Sequence, residues 1–227
     1  MARPPLPDLL PPNTAEGSHQ RRGERIEGMR VEIGRAKRQD FLVDCTLVGC
    51  DIRIRCGASH VNLFGSTFER CRFLPGRPMM NLRLTGMNLR GCAFEGKYIG
   101  CRFGNEEEDH DAEVRDCDFR RAAIFHLCDF LGGTDVASCR WPTWPHIVVT
   151  DLERSARSWS QLPLPEGLQL VQQTIAEGPP ARAVTIHLPS ETERAEELRD
   201  RLSAQPYILV AEPADPSAPN RPQGPPR

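Results

Sequence analysis

The 227-residue chain lacks the motifs that mark several common enzyme classes. It has no Cys-x-x-Cys pair, so zinc-finger or thioredoxin-like chemistry has little support. It has no glycine-rich phosphate-binding loop and no dinucleotide-binding fingerprint. No apolar run approaches the roughly 18 residues that a membrane-spanning helix requires. We therefore expect no catalytic residue, no cofactor, no bound metal and no membrane span.

Aromatic residues and net charge are also scarce. Aromatic side chains make up 6% of the chain, the formal net charge is -2 and the mean hydropathy is -0.47. A net charge this small produces no long-range electrostatic field that would attract nucleic acid. We therefore do not expect a nucleic-acid partner. The N-terminal residues lack the apolar stretch of a secretory signal, and nine cysteines are an odd number. We expect free thiols and a cytoplasmic location.

The cysteines follow a regular pattern. Eight of the nine stand two residues before a bulky apolar residue. We predict that both members of each pair face inward, with cysteine as a small buried side chain rather than a ligand or disulfide partner. The pairs are Cys45 and Leu47, Cys50 and Ile52, Cys71 and Phe73, Cys92 and Phe94, Cys101 and Phe103, Cys117 and Phe119, Cys128 and Phe130, and Cys139 and Trp141.

These pairs belong to a five-residue repeat that runs from about Phe41 to Trp141. Its unit is a small residue, a polar one, a large apolar one and two mostly polar ones, as in Cys92-Ala93-Phe94-Glu95-Gly96. A period of five fits neither a helix nor a simple strand. It fits a chain that turns a corner every five residues and stacks coil upon coil at about 4.8 Å. Cys50, Cys71 and Cys92 are each 21 residues apart, so we expect them to stack on one face.

The repeat resembles that of the pentapeptide-repeat family, whose usual unit is Ala-(Asp/Asn)-Leu-x-x. Here cysteine takes most of the small positions and phenylalanine takes several of the large ones. The resemblance covers residues 41–141 and implies a mainly β fold, a right-handed quadrilateral β-helix of about five coils. It also implies one function, because some members of the family resemble duplex DNA and bind DNA gyrase or topoisomerase IV.

The flanking segments differ in composition from the repeat. Residues 1–24 are rich in proline and polar residues and are predicted to be a disordered arm, followed by an N-terminal cap or connection at 25–40. Residues 142–212 are predicted to form a small α/β unit with a right-handed crossover. Its predicted strands are 146–150, 183–188 and 207–210, and its predicted helices are 166–177 and one that follows a capping box at 190–193. Residues 213–227 are predicted to be a disordered, proline-rich tail.

The largest break in the repeat is the acidic run from Gly104 to Asp111. A charge run of this kind is most often a solvated loop, and the alternative is a loop that meets a basic partner. The candidate partner-binding residues are Glu106, Glu107, Glu108, Asp109 and Asp111. With His110 these carboxylates could suit a hard cation, but the EF-hand spacing is absent.

One cysteine lies outside the repeat. Cys56 and His60, four residues later, are the one nucleophile and base pair that the sequence offers. No oxyanion signature or orienting acid accompanies them, so we expect the protein not to be an enzyme.

These observations favour a non-catalytic scaffold that presents a rigid β-helix to another protein. The first alternative is a DNA-mimicking binder or protector of DNA gyrase or topoisomerase IV, although residues 41–141 carry 14 acidic and 13 basic side chains rather than a strong negative charge. The second alternative is an antitoxin, immunity or secretion-associated adaptor. The sequence leaves a homodimer open.

Overall fold

The structure is a computed structural model that describes residues 18–34, 39–106, 112–159, 181–188 and 195–212. The described chain is mainly β and forms a solenoid of about four turns. Neither of its two helices has the length and apolar character that crossing a bilayer requires.

Twenty strands and two helices make up the described part of the chain. In chain order they are β1 (Ser18–Arg22), β2 (Arg25–Glu27), β3 (Arg30–Ile33), β4 (Gln39–Val43), β5 (Thr46–Val48), β6 (Asp51–Ile54), β7 (Val61–Asn62), β8 (Thr67–Glu69), β9 (Arg72–Pro75), β10 (Met79–Met80), β11 (Arg83–Thr85), β12 (Asn88–Arg90), β13 (Ala93–Ile99), β14 (Arg102–Gly104), β15 (Val114–Arg115), β16 (Asp118–Phe125), β17 (Cys128–Phe130), β18 (His146–Thr150), α1 (Leu152–Trp159), β19 (Ala183–His187), α2 (Ala195–Ser203) and β20 (Ile208–Leu209).

Parallel strands stack along the faces of the solenoid. One face holds β2, β5, β8, β12 and β15, and the next holds β3, β6, β9, β13 and β16. Five strands on a face mean that four complete turns separate the first strand from the last. On a further face, the second half of β13 pairs with β10 on one side and with the second half of β16 on the other. Met79, Tyr98 and Ile124 align across these three strands.

The large position of the repeat points into a narrow aromatic core. Phe73 stacks on Phe94 with ring centroids 4.8 Å apart, and Phe94 stacks on Phe119 at 4.6 Å. Trp141 continues the column above Phe119 at 5.3 Å and is buried at its end. These centroid separations match the spacing of about 4.8 Å between neighbouring strands, so the rings stack in step with the coils.

The small position forms a second column of free thiols. Cys50, Cys71, Cys92, Cys117 and Cys139 stack coil above coil, as expected for the three that are 21 residues apart. The Cys92 thiol donates to the Phe68 carbonyl at 3.2 Å, and the Cys71 thiol donates to the Leu47 carbonyl at 3.3 Å. Burial raises the pKa of the Cys92 thiol, so it stays neutral and acts as a small packing group.

The solenoid begins earlier than the repeat predicts. Strand β1 lies within the segment predicted to be a disordered arm, and it pairs with β4 from Ser18 to Arg22. The predicted cap at 25–40 contains β2 and β3, which pair in register with β5 and β6. Residues 18–34 are therefore the first coil, and the ordered part of the chain includes residues 18–24, which were predicted to belong to the arm.

The C-terminal segment forms the small α/β unit that the sequence predicts, with an apolar core of its own, and its sheet continues that of the solenoid. Strand β19 pairs antiparallel with β17, and β18 pairs antiparallel with both β19 and β20. Strands β19 and β20 are both antiparallel to β18, so they run in the same direction and are joined through α2, as the predicted crossover requires. The right hand of that connection stays a prediction. The strand at 146–150 and the helix that starts near residue 195 were predicted, and the third strand is shorter than predicted.

Several predictions lie outside the described residues. They are the arm over 1–17, the helix at 166–177, the capping box at 190–193 and the tail at 213–227.

Candidate functional site

The stack of strands is interrupted at one place on the face that carries β4. Strand β7 ends a three-stranded sheet, β1-β4-β7, while β11 begins a six-stranded sheet, β11-β14-β17-β19-β18-β20. The two strands are one coil apart, since Leu63 and Leu84 are separated by the same 21 residues as stacked positions elsewhere. Their chains meet only beyond the strands, where the Gly65 amide donates to the Gly86 carbonyl at 3.2 Å.

Two irregular segments flank the interruption. A 3-10 turn at Ala58–His60 enters β7, and residues 75–78, with a proline at each end, precede β10. The step from Phe73 to Met79 is six residues instead of five.

An open groove, here called the interruption groove, lies between the two strands. It has a cavity volume of about 540 Å³ and is lined by Ala58, Ser59, Val61, Asn62, Leu63, Phe64, Met80, Asn81, Arg83, Thr85, Met87 and Glu106. Phe64 is 60% exposed and Met80 is 61% exposed, and with Leu209 they are the large apolar side chains that the described residues leave exposed. Two such residues in one concavity indicate a contact surface.

One rim of the groove is charged. Glu106 lies 3.3 Å from a guanidinium nitrogen of Arg102 and 3.9 Å from one of Arg83. Arg102 also contacts Asp129 at 3.3 Å. The positive charges of the two arginines therefore balance the negative charges of the two carboxylates. In the sequence, four acidic residues follow between positions 107 and 111, which lie outside the described residues.

The predicted acidic loop is therefore described at its start only. Glu106 is exposed and belongs to the groove, while Glu107, Glu108, Asp109 and Asp111 lie outside the described residues. The sixteen residues predicted to face inward are all buried in the solenoid core.

Cys56 and His60 occupy different environments. Cys56 is buried in the core, where it packs closely against Gly34, whereas His60 is exposed and has its Nδ1 3.0 Å from the hydroxyl of Ser59. A buried thiol and an exposed imidazole do not form the nucleophile and base pair that the sequence offered.

A second polar cluster lies where the solenoid meets the C-terminal strands. His146 Nε2 accepts the amide of Ile124 at 3.2 Å, and its Nδ1 lies 3.2 Å from the Thr143 carbonyl. The rings of His146 and His187 are 4.7 Å apart, and burial lowers the pKa of both. These contacts hold His146 neutral, with the proton on Nδ1. Within the described ranges, no group of three or more His, Cys, Asp or Glu side chains could hold a metal ion.

Phe64 and Met80 were missed by the repeat analysis although the sequence carries a signal for them. Each follows a large inward residue, Leu63 or Met79, at the place where the repeat unit requires a polar side chain. At Phe64 and Met80 this second apolar side chain is exposed, whereas Leu131, which follows Phe130 in the same way, is buried. The departure from the unit is therefore a signal for these two residues but not a rule.

No protein-family model and no curated protein matches the chain. Among solved structures it is similar to QnrB1, described as a plasmid-mediated fluoroquinolone resistance protein. The identity is 16%, the match covers 48% of this chain and 52% of that one, and the TM-score is 0.19. The match thus spans about half the length of that protein, and at this TM-score it carries no argument about function.

Proposed function

We propose that this protein is a non-catalytic scaffold that binds another protein through the interruption groove. The observation that carries the proposal is the exposure of Phe64 and Met80 in one concavity. Buried aromatic and methionine side chains are common anchors in interfaces, and burying both would remove a large apolar area from water. The five-residue repeat, which resembles that of the pentapeptide-repeat family, supplies the rigid support.

The charge of the rim supports a basic partner. Five acidic residues lie between positions 106 and 111, and the first of them is a wall residue of the groove. Opposite charge on the partner would speed association and orient it without adding much affinity. The proposed partner is therefore a protein with an apolar anchor beside basic side chains.

The chemistry of the groove supports a role without catalysis. Ser59 and the neighbouring His60 lie at its edge, but they are exposed and bond to each other. Among the described contacts, no carboxylate orients His60 as the third member of a triad would.

The charge of the solenoid wall does not favour DNA mimicry. The described residues between 18 and 141 hold 17 basic and 14 acidic side chains. The described part of the solenoid therefore lacks the acidic excess of a duplex-DNA mimic. Nothing in the structure selects an antitoxin, immunity or secretion-associated role.

The experiment that tests the proposal is a quantitative pull-down from extracts of the native host. The baits are the wild-type chain, a Phe64→Ser and Met80→Ser double variant, and a Leu209→Ser control. Leu209 is also an exposed apolar residue, at 40%, but it lies on β20 at the opposite edge of the six-stranded sheet. A partner retained by the control and lost by the double variant is expected. Equal capture by all three baits would rule out the groove as the binding site.

A further inference from the structure

We infer that the solenoid has a second contact surface, a basic face that binds a short acidic segment of another protein. The basic face is built on β3, β6, β9, the first half of β13 and the first half of β16, whereas the interruption groove lies on the face that carries β4. Its residues are 30–33, 51–55, 72–77, 93–97, 118–121 and 140.

Charge is distributed unevenly around the solenoid. The basic face holds nine basic and four acidic side chains. The other described residues between 18 and 141 hold eight basic and ten acidic ones. One face therefore carries a local positive charge, although the formal net charge of the chain is -2.

The acidic side chains of the basic face lie beneath the basic ones. Arg72 donates two hydrogen bonds to Asp51, at 2.8 and 2.9 Å, and 51% of its side chain is exposed against 7% of that of Asp51. Arg121 pairs with Glu95 at 3.2 Å in the same manner, with 76% against 24% exposed. A molecule that approaches the face therefore meets guanidinium groups before it meets carboxylates.

Three cations of the basic face lie near one corner and have no carboxylate partner among the described ion pairs, namely Arg53, Arg77 and Lys97. Arg77 is exposed in the irregular segment 75–78, and one of its guanidinium nitrogens lies 3.7 Å from the position that a Cβ would take at Gly57. Lys97 is exposed in β13, beyond the bulge of that strand, and its Nζ lies 5.0 Å from the centre of the Phe125 ring. The charge left for a partner is thus concentrated where the repeat is irregular.

The size of the face sets the length of the bound segment. Five strands and the bridge of Arg140 to Asp118 make six levels. Since neighbouring strands are about 4.8 Å apart, the face extends roughly 24 Å along the solenoid, which an extended peptide spans with about seven residues. Carboxylates suit the face because a guanidinium group can hold one with two parallel hydrogen bonds, as Arg72 holds Asp51.

Two observations favour an acidic peptide over a nucleic acid. The aromatic side chains of the face, Phe73, Phe94 and Phe119, are fully buried and offer no surface on which a base could stack. A duplex, whose major groove alone is about 12 Å wide, is also broader than a face of three or four residues and would meet the neighbouring faces. There the described acidic side chains outnumber the basic ones, so a phosphate backbone would be repelled.

The test is fluorescence anisotropy with a labelled octapeptide of alternating glutamate and aspartate as the probe. An octapeptide of glutamine and asparagine and a short DNA duplex are the comparison probes. We expect the full chain to bind the acidic peptide, with an affinity that falls as salt rises, and to bind the neutral peptide at least tenfold more weakly. An Arg77→Glu and Lys97→Glu double variant should weaken the acidic peptide about tenfold, and the corresponding double glutamine variant should weaken it about threefold.

A matched control makes the same change of net charge elsewhere. Arg22 ends β1 and Arg182 directly precedes β19, and both side chains are exposed. An Arg22→Glu and Arg182→Glu double variant should change the affinity less than twofold. Equal weakening by the two pairs of reversals would overturn the basic face as the site. If the variant at Arg77 and Lys97 melts early, the double glutamine variant decides.

Further outcomes separate this surface from the groove and from nucleic-acid binding. The Phe64→Ser and Met80→Ser double variant should bind the acidic peptide as the wild type does, since its changes lie in the groove. Loss of peptide binding in that variant would contradict a separate surface, whereas its failure in the pull-down alone concerns the groove. No binding of the acidic peptide even at low salt, or tighter binding of the duplex that depends on Arg77 and Lys97, would overturn the inference.

Discussion

Because the thiols act as small packing groups, we predict that a charged side chain at Cys92 destabilises the fold far more than removal of the sulfur does. This residue is fully buried, its thiol donates to the Phe68 carbonyl at 3.2 Å, and its neighbours in the column are Cys71 and Cys117. Cys92→Ala removes one heavy atom and one weak hydrogen bond, and it should cost about 1–2 kcal/mol. Cys92→Asp places a carboxylate in a dry core with no cation beside it, and should cost several kcal/mol.

The assay is urea unfolding followed by circular dichroism. With a slope of about 1–3 kcal/mol per molar urea, the alanine variant should lower the midpoint by roughly 0.3–2 M. The aspartate variant should lose most of the total stability, which is about 5–15 kcal/mol for a typical domain. A suitable control is Ala93→Asp on the same strand, since Ala93 aligns with Asp118 of the next coil, where an aspartate already stands. If Cys92→Asp unfolds at the same urea concentration as the wild type, the inward assignment of the thiols is wrong.

Three further changes test other parts of the fold. Phe94→Ala should cost about 3–5 kcal/mol in urea unfolding, because Phe94 lies between two stacked rings, while Phe94→Leu should cost clearly less. The melting temperature should fall as the pH drops below about 6.5, because burial lowers the pKa of His146 in the folded chain and the unfolded chain then binds the extra proton. In His146→Gln this dependence should be weaker, and an unchanged slope would contradict the assignment. Gly133→Ala should destabilise more than Gly28→Ala in thermal melts. Both glycines have a positive φ, but an added Cβ at Gly133 would lie 1.9 Å from the Ala112 carbonyl and at Gly28 it meets nothing within 4 Å.

The regular part of the solenoid could be predicted because its repeat is local. Each coil side needs one small and one large side chain, and cysteine before phenylalanine makes both easy to see. The first coil was missed for the same reason: Glu24 and Met29 stand in the small positions before Ile26 and Val31. The backbone pairing of β2 and β3 is preserved there without the side-chain signature.

The pairing partners of the C-terminal strands could not be read from the sequence. The strand-helix-strand pattern predicts that β19 and β20 run in the same direction, but it does not predict that β18 lies between them. The pairing with the solenoid depends on the exposed edge of β17, to which Val184 and its neighbours bond. That edge exists only because the solenoid ends at β17, so it cannot be predicted from the sequence of the C-terminal segment alone.

The groove was only half predictable, and the reason lies in backbone bonding. Extra residues at 57–60 and two prolines at 75–78 mark a change of phase, and the doubled pairs Leu63-Phe64 and Met79-Met80 mark exposed apolar side chains. An extra residue in the repeat can bulge at a corner of the coil or can separate two strands. Which of these occurs depends on how the coils above and below pair. At 63 to 84 the strands separate, whereas the similar six-residue step from 124 to 130 leaves β14 and β17 paired.

A solenoid whose strands are all paired offers a partner few unpaired backbone groups or charges. Its backbone groups are used between coils, and its outer charges pair across them, as Arg72 does with Asp51 and Arg121 does with Glu95. Both kinds of contact are made within the wall, between one coil and the next. An interruption changes this locally, because β7 and β11 do not pair there and the apolar side chains of Phe64 and Met80 are exposed in one concavity. The acidic run starts beside the same interruption, at Glu106. Binding in this protein is therefore expected where the repeat fails, and the regular coils serve to hold that place rigid.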